Sequence, residues 1–266
     1  MLGVRPDGSH ELHTTFQSIA LADALTFTPV RGAFRIVCDD PACPTDSRNL
    51  VWRAAELLWK AARRRGVPRD VVVTIAKRIP MQGGLGGGSS DAAAALVALA
   101  SIWHVKLPRA RLRRLAAAIG ADVPYFLEGG TARGRARGDR LARLADRPRA
   151  WVVLVVPPFG VSTSEAFGWW DEQVGRDGQE GREGTNDLQA VVARHHPIVS
   201  RLVAALERAG AFQASLSGSG SAVFGLFRQK SAADRAARTL RRSAPRNVVL
   251  ITRTIGRMGY RKLAAK

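Results

Sequence analysis

The chain of 266 residues is long enough for one large or two moderate domains with real cores, and it needs no disulfide or metal staple. It holds no run of about 18 apolar residues and lacks a charged-then-apolar start, which argues against a membrane span and a secretory leader and for a cytoplasmic protein. The net charge of +19, from 41 Lys and Arg against 22 Asp and Glu, is scattered rather than striped. No specific nucleic-acid partner is therefore expected, and the positive field suits small anionic substrates.

Ser9-His10 follows a turn-forming Asp7-Gly8 in the manner of a hairpin. Cys38 and Cys43 are the only cysteines. Without His or Cys neighbours they cannot complete a four-ligand zinc site, so they are expected as reduced thiols in a loop, with no metal residues assigned. From Asn49 to Arg65 apolar residues recur at helical spacing, and Gly66 and Pro68 are expected to stop that helix. Val71-Val72-Val73-Thr74-Ile75 is a β-branched run and predicts a strand, while the Ala/Leu-rich stretch from Asp91 to Leu99 predicts a helix.

A third helix is expected over residues 109–119 with Gly120 as its stop. The Arg/Gly-rich stretch from Arg133 to Pro148 predicts a boundary between domains at 1–148 and 149–266. Beyond it the pattern gives a strand over 151–156, a helix over 198–208, strands over 211–216 and 222–227, a helix over 232–241 and a strand over 247–253. That order is βαββαβ, the ferredoxin-like arrangement. Residues 172–184, rich in Gly and charge, are expected as a mobile surface loop.

Between the predicted strand and helix lies Pro80-Met81-Gln82-Gly83-Gly84-Leu85-Gly86-Gly87-Gly88-Ser89-Ser90-Asp91. Five glycines within six residues allow backbone N–H groups to approach an anion, and the following helix offers unpaired donors and the positive end of its dipole. Ser89 and Ser90 either cap that helix or face a phosphate or its magnesium ion. The plainer alternative, a flexible turn, needs far fewer glycines. A P-loop requires a lysine before the Ser/Thr, and no lysine occurs between Lys77 and Lys106. A dinucleotide fingerprint needs an acidic residue about 20 positions on, and none occurs between Asp91 and Asp122.

The string P-x-x-x-G-L-G-G-G-S-S-D-A-A resembles the second motif of the GHMP kinases, which act on galactose, homoserine, mevalonate and similar small molecules. Arg5-Pro6-Asp7-Gly8-Ser9-His10, Asn49-Leu50, Gly120-Ala121-Asp122-Val123-Pro124 and Ser217-Gly218-Ser219-Gly220-Ser221 extend the resemblance from about Val4 to Arg253. They match a branch whose substrate is a cytidine diphosphate-linked polyol. The resemblance implies an α+β protein with a ribosomal-protein-S5-like N-terminal domain, a ferredoxin-like C-terminal domain, ATP and Mg2+ as cofactors, and a monomer or weak homodimer without membrane attachment.

Residue by residue, the resemblance implies ATP binding by Pro80, Met81, Gln82, Gly83, Gly84, Leu85, Gly86, Gly87, Gly88, Ser89 and Ser90, with Asn49 and Lys77 near the adenine. It implies Asp122 as the carboxylate that takes the acceptor proton, and His10, Thr163 and Phe167 at the cytosine. Each has a plainer alternative: Asp122 as a helix cap, His10 as a surface histidine, Phe167 as a core aromatic, Asn49 and Lys77 as solvent-facing polar residues, and Ser217–Ser221 as an ordinary hairpin.

Two departures stand out. Ser9 replaces a tyrosine that stacks on the base, which lowers the expected cytidine affinity or moves its source elsewhere. Only Met1-Leu2-Gly3-Val4 precede Arg5, where the family carries a P-A-K-x-N-L strand with a catalytic lysine. The expectation is a start codon further upstream or a damaged kinase. Kinases of another alcohol, or a non-catalytic nucleotide-binding remnant, stay open as alternatives.

Overall fold

The computed structural model describes residues 3–5, 8–174 and 185–264. Its first half runs through β1 (Thr14–Gln17), β2 (Ala24–Ala33), β3 (Arg35–Cys38), α1 (Leu50–Ala61), β4 (Arg69–Ala76), α2 (Gly87–Ile102), α3 (Arg109–Ile119), the single turn α4 (Val123–Phe126), β5 (Thr131–Arg135) and β6 (Arg140–Arg143). The second half holds β7 (Trp151–Val156), α5 (Thr163–Val174), α6 (Leu188–His195), α7 (Ile198–Arg208), β8 (Gln213–Leu216), β9 (Val223–Phe227), α8 (Lys230–Ser243), β10 (Val248–Arg253) and α9 (Arg257–Ala264).

Alternation along β4 buries Val71, Val73 and Ile75 on one face, as a half-covered strand requires. The buried stripe of α1, Val51, Ala54, Ala55, Leu58 and Trp59, packs with them and with Leu96 and Leu99 of α2 into one core. Two three-stranded sheets, ordered β2-β4-β3 and β1-β5-β6, serve this half. Pro29 lies on β2, an edge strand, with a register shift between Pro29 and Ala33. An edge tolerates a residue that cannot donate to the ladder.

The second half builds one antiparallel sheet in the order β10-β7-β9-β8, covered by helices whose apolar faces form a separate core with Leu202, Leu206, Phe227 and Leu240. Three helices, α5 to α7, stand where the sequence pattern gave one. The halves are joined near the chain's last strand: Ile19 bridges Thr254, Ala20 N–H donates to the Arg253 carbonyl at 2.9 Å, and Ile255 N–H donates to Ser18 O at 2.9 Å.

Two expectations are corrected. The first long helix ends at Ala61 rather than Arg65, because Arg63 takes a left-handed conformation (φ 57°) and the Trp59 indole N–H reaches back to the Arg65 carbonyl at 3.1 Å. The helix after the glycine loop begins at Gly87, four residues earlier than expected. The Arg/Gly-rich stretch from Arg133, at whose end the sequence puts the domain boundary, forms the β5–β6 hairpin, paired to β1. The expected loop over 172–184 begins inside α5, and its residues 175–184 lie outside the described residues. Among the described residues no helix is long and apolar enough to cross a membrane.

Candidate active site

The glycine loop leaves β4 and feeds directly into α2, and its local geometry explains its composition. Gly84 and Gly86 both have positive φ, 68° and 71°, where a Cβ is strained. A Cβ on Gly84 would come within 2.0 Å of the Ser217 carbonyl oxygen, and one on Gly86 within 2.7 Å of the Phe126 ring. Gly86 occupies the N-cap position of α2. Ser89 and Ser90 therefore lie inside the first turn and are not spent on capping; their hydroxyls sit at the donor-rich end of a sixteen-residue helix.

The 217–221 turn, which joins β8 to β9, closes over this loop from the other half. Ser217 Oγ donates to Gly84 O at 2.8 Å, Ser221 N–H to Gln82 O at 3.3 Å and Ala222 N–H to Gly83 O at 3.2 Å. These contacts cross between the two cores, unlike those of an isolated hairpin. The same turn reaches the start of α5, where Thr163 Oγ1 lies 3.4 Å from Ser219 Oγ.

Further along α5, Phe167 stacks on the His10 ring with centroids 4.3 Å apart, Trp170 meets that ring edge-on at 5.8 Å, and Asp171 Oδ1 lies 2.7 Å from His10 Nε2. His10 is thus a held side chain rather than a loose surface one. Residues 6 and 7 of the preceding turn lie outside the described residues.

Asp122 stands at the N-cap position of α4, with no side-chain capping hydrogen bond. Solvent reaches it, yet the protein around it crowds out enough water to push its carboxyl upward. The α4 turn packs on α2, with the Phe126 ring over Gly86, and a Cβ on Gly138 of the β5–β6 hairpin would lie 3.9 Å from Asp122 Oδ1. That hairpin also holds the His10 segment, through Leu12 N–H to Ala136 O at 2.7 Å.

Asn49 and Lys77 are not the solvent-facing residues the sequence allowed. Asn49 is buried and caps α1, its Oδ1 accepting from Val51 N–H at 2.9 Å while Nδ2 donates to Pro44 O at 2.6 Å. Lys77, only 6% exposed along its side chain, donates through Nζ to Asp23 Oδ2 at 2.5 Å and to Asp91 Oδ2 at 3.0 Å. Burial works against the Lys77 ammonium, but Asp91 and Asp23 outweigh it and hold its pKa above the ordinary value. Two carboxylates share one ammonium, so one is in excess, and burial pushes the Asp91 carboxyl up to about 7.

Sequence reading missed Asp23 and Asp171. The signal for Asp23 was a single charge inside the apolar run from Ile19 to Leu25. For Asp171 none existed, since its link to His10 spans 161 residues. Cys38 and Cys43 are both free, and burial raises the Cys43 thiol to about 12.

A glycine loop at a helix start is thus met by a serine turn from the second half, and the α4 turn that begins after Asp122 packs on the same helix. Residues 49–130 match the GHMP kinases N terminal domain family and residues 171–246 the GHMP kinases C terminal family, and the chain belongs to the GHMP kinases. It is 40% identical to the 4-diphosphocytidyl-2-C-methyl-D-erythritol kinase of Moorella thermoacetica, over 96% of this chain and 94% of that one. It is also 40% identical to the enzyme of that name from Pelotomaculum thermopropionicum, over 96% and 93%. A crystal structure of 4-(cytidine 5'-diphospho)-2C-methyl-D-erythritol kinase superposes with a TM-score of 0.76 at 34% identity, covering 96% of this chain and 95% of that one. The homoserine kinase of Cytophaga hutchinsonii shares the fold, with a TM-score of 0.65 at 18% identity and coverage of 91% and 89%.

Proposed function

We propose that this protein is the ATP-dependent kinase that phosphorylates the 2-hydroxyl of 4-diphosphocytidyl-2-C-methyl-D-erythritol, in non-mevalonate isoprenoid precursor biosynthesis. The observation that carries the reading is the continuity of one cleft. The 217–221 turn touches the glycine loop at Gly84 and the start of α5 at Thr163, and α5 carries the His10–Phe167 stack one turn further on. These contacts support placing the nucleotide's phosphates at the glycine loop and the pyrimidine of a diphosphate-linked polyol beside the His10–Phe167 pair. The halves at 1–148 and 149–266 form the two walls.

In this reading the loop from Pro80 to Ser90 binds the triphosphate of ATP through backbone N–H groups. Asn49 and Lys77 border the adenine, and His10, Thr163 and Phe167 hold the cytidine end. Asp122 accepts the proton of the 2-hydroxyl as that oxygen bonds to the γ-phosphorus and the bond to the β-phosphate oxygen breaks, leaving ADP and a phosphate monoester.

Magnesium belongs to the proposal as well. Among the described residues no group of three or more His, Cys, Asp or Glu is placed to hold a metal ion. Magnesium that rides mainly on phosphate oxygens and water needs only one or two protein oxygens, and the Ser89 and Ser90 hydroxyls fit that demand. When bound, the ion neutralises charge on the transferring phosphate.

The test is turnover of purified protein with ATP and the cytidylyl polyol, followed by ADP release and by 31P NMR of the product. A new phosphate monoester at the 2-position is the expected result, with mevalonate and homoserine inert. Phosphorylation of either of those and not of the cytidylyl polyol would replace this substrate with another alcohol.

A further inference from the structure

The glycine loop must hold several backbone N–H groups in one geometry, and its five glycines contribute no side chains to that end. The two flanks are tied instead by one buried side chain from a distant part of the sequence. Asp23, between β1 and β2, has no exposed side-chain surface. Its Oδ1 accepts from the backbone N–H groups of Arg78 at 2.6 Å and Ile79 at 2.8 Å, the residues just before the loop. Its Oδ2 accepts from Lys77 Nζ, whose second carboxylate partner, Asp91, lies in the first turns of α2 just after the loop. A Cβ on Gly87, the first residue of α2, would lie 3.6 Å from Asp23 Oδ2. Both ends of the loop are thus referred to a single carboxylate.

We propose that Asp23 is a positioning residue for phosphoryl transfer, fixing the separation and orientation of the two ends of the phosphate-binding loop through Arg78, Ile79 and the Lys77–Asp91 pair. The proposal rests on reading that loop as the ATP phosphate site. Binding groups held a fraction of an ångström from their productive place lose much of their effect, so the consequence falls on ATP and on the chemical step, while the cytidine end, held by α5, is untouched.

The test compares Asp23→Ala, which removes every acceptor, with Asp23→Asn, which keeps an oxygen for Arg78 and Ile79 but no charge for Lys77. ATP affinity is measured directly by calorimetry, alongside KM for ATP, KM for the cytidylyl polyol, kcat and Tm. Asp23→Ala is expected to weaken ATP binding at least tenfold and to lower kcat at least tenfold, with KM for the polyol changed less than twofold. Asp23→Asn is expected to recover part of the ATP affinity. Lys77→Met combined with Asp23→Asn should cost less than the sum of the two single changes, because the side chains act as a unit.

If Asp23→Ala does not fold, the Asn variant and the double variant carry the comparison alone. A lower Tm with unchanged ATP affinity would make Asp23 merely structural, and equal losses for ATP and polyol would show general loosening; either overturns the proposal. Wild-type protein that binds ATP but ignores the polyol sinks the substrate reading and leaves the Asp23 comparison intact on ATP affinity. Failure of wild type to bind ATP removes both.

Discussion

Ser217 Oγ hydrogen-bonds the carbonyl oxygen of Gly84 at 2.8 Å, across 133 residues of sequence and between two separate hydrophobic cores. The bond turns a carbonyl of the glycine loop toward the second domain, and in the proposed reading the loop's N–H groups stay available to the phosphates. Ser217→Ala is expected to cost about 1 kcal/mol of stability, the usual worth of a partly buried neutral hydrogen bond, and to raise KM for ATP several-fold. Thermal melts and initial rates check both, and an unchanged KM would mean that the backbone contacts from Ser221 and Ala222 suffice.

Gly88 tests the phosphate loop more cleanly than Gly86 does. A valine at Gly86 looks, from sequence alone, like a change that blocks phosphate and spares the fold. The left-handed backbone and the Phe126 ring against it make that change disruptive in its own right. A Cβ at Gly88 meets only Leu50 Cδ1, at 3.7 Å. Gly88→Asp should leave Tm equal or higher, since a carboxylate in the first turn suits the helix dipole, while ATP affinity falls at least tenfold through like-charge repulsion. Gly88→Ala should change it far less.

Asp122→Asn is expected to lower kcat by about 10²- to 10⁴-fold, the range for a lost general base, with KM for ATP nearly constant. Because crowding raises the Asp122 pKa, the folded chain keeps this proton over a pH range in which the unfolded chain, titrating near the ordinary value of about 3.9, has lost it. Stability from this group is therefore greatest at low pH, declines as pH rises from about 4 through the raised value, and is flat above. The wild-type kcat should rise over the same interval. Loss of both slopes in Asp122→Asn, read from pH–rate profiles and pH-dependent melts, is the expected outcome.

Phe167→Ala should raise KM for the cytidylyl polyol about 5- to 150-fold, corresponding to the roughly 1–3 kcal/mol that base stacking contributes, and leave KM for ATP alone. Equal effects on both substrates would identify Phe167 as a packing residue of α5.

The legible parts of the sequence were those with short-range causes. β4 shows in its β-branched run, the turn from β4 into α2 in its glycines, and α3 in its Gly120 stop. What stayed hidden depends on pairing across the chain. β1, β5 and β6 are short strands with Arg, Gly and Gln in them, and nothing local distinguishes them from loop. They become strands because Phe16 faces Ala132 and Gly134 faces Leu141 in register. Lys77 illustrates the same limit, since the sequence allowed it a solvent-facing place and showed neither of its two carboxylate partners.

The pairing of Ser18, Ile19 and Ala20 with Arg253, Thr254 and Ile255 bears on the order in which the protein is made. A nascent chain exposes the early segment long before the late strand leaves the ribosome, so the early segment waits for its partner until more than two hundred further residues have been made. N-terminal domains ordinarily fold first during synthesis. Here a premature stop just before Arg253 would strip hydrogen bonds from residues translated more than two hundred codons earlier, and the damage would surface in the half that had been synthesised intact.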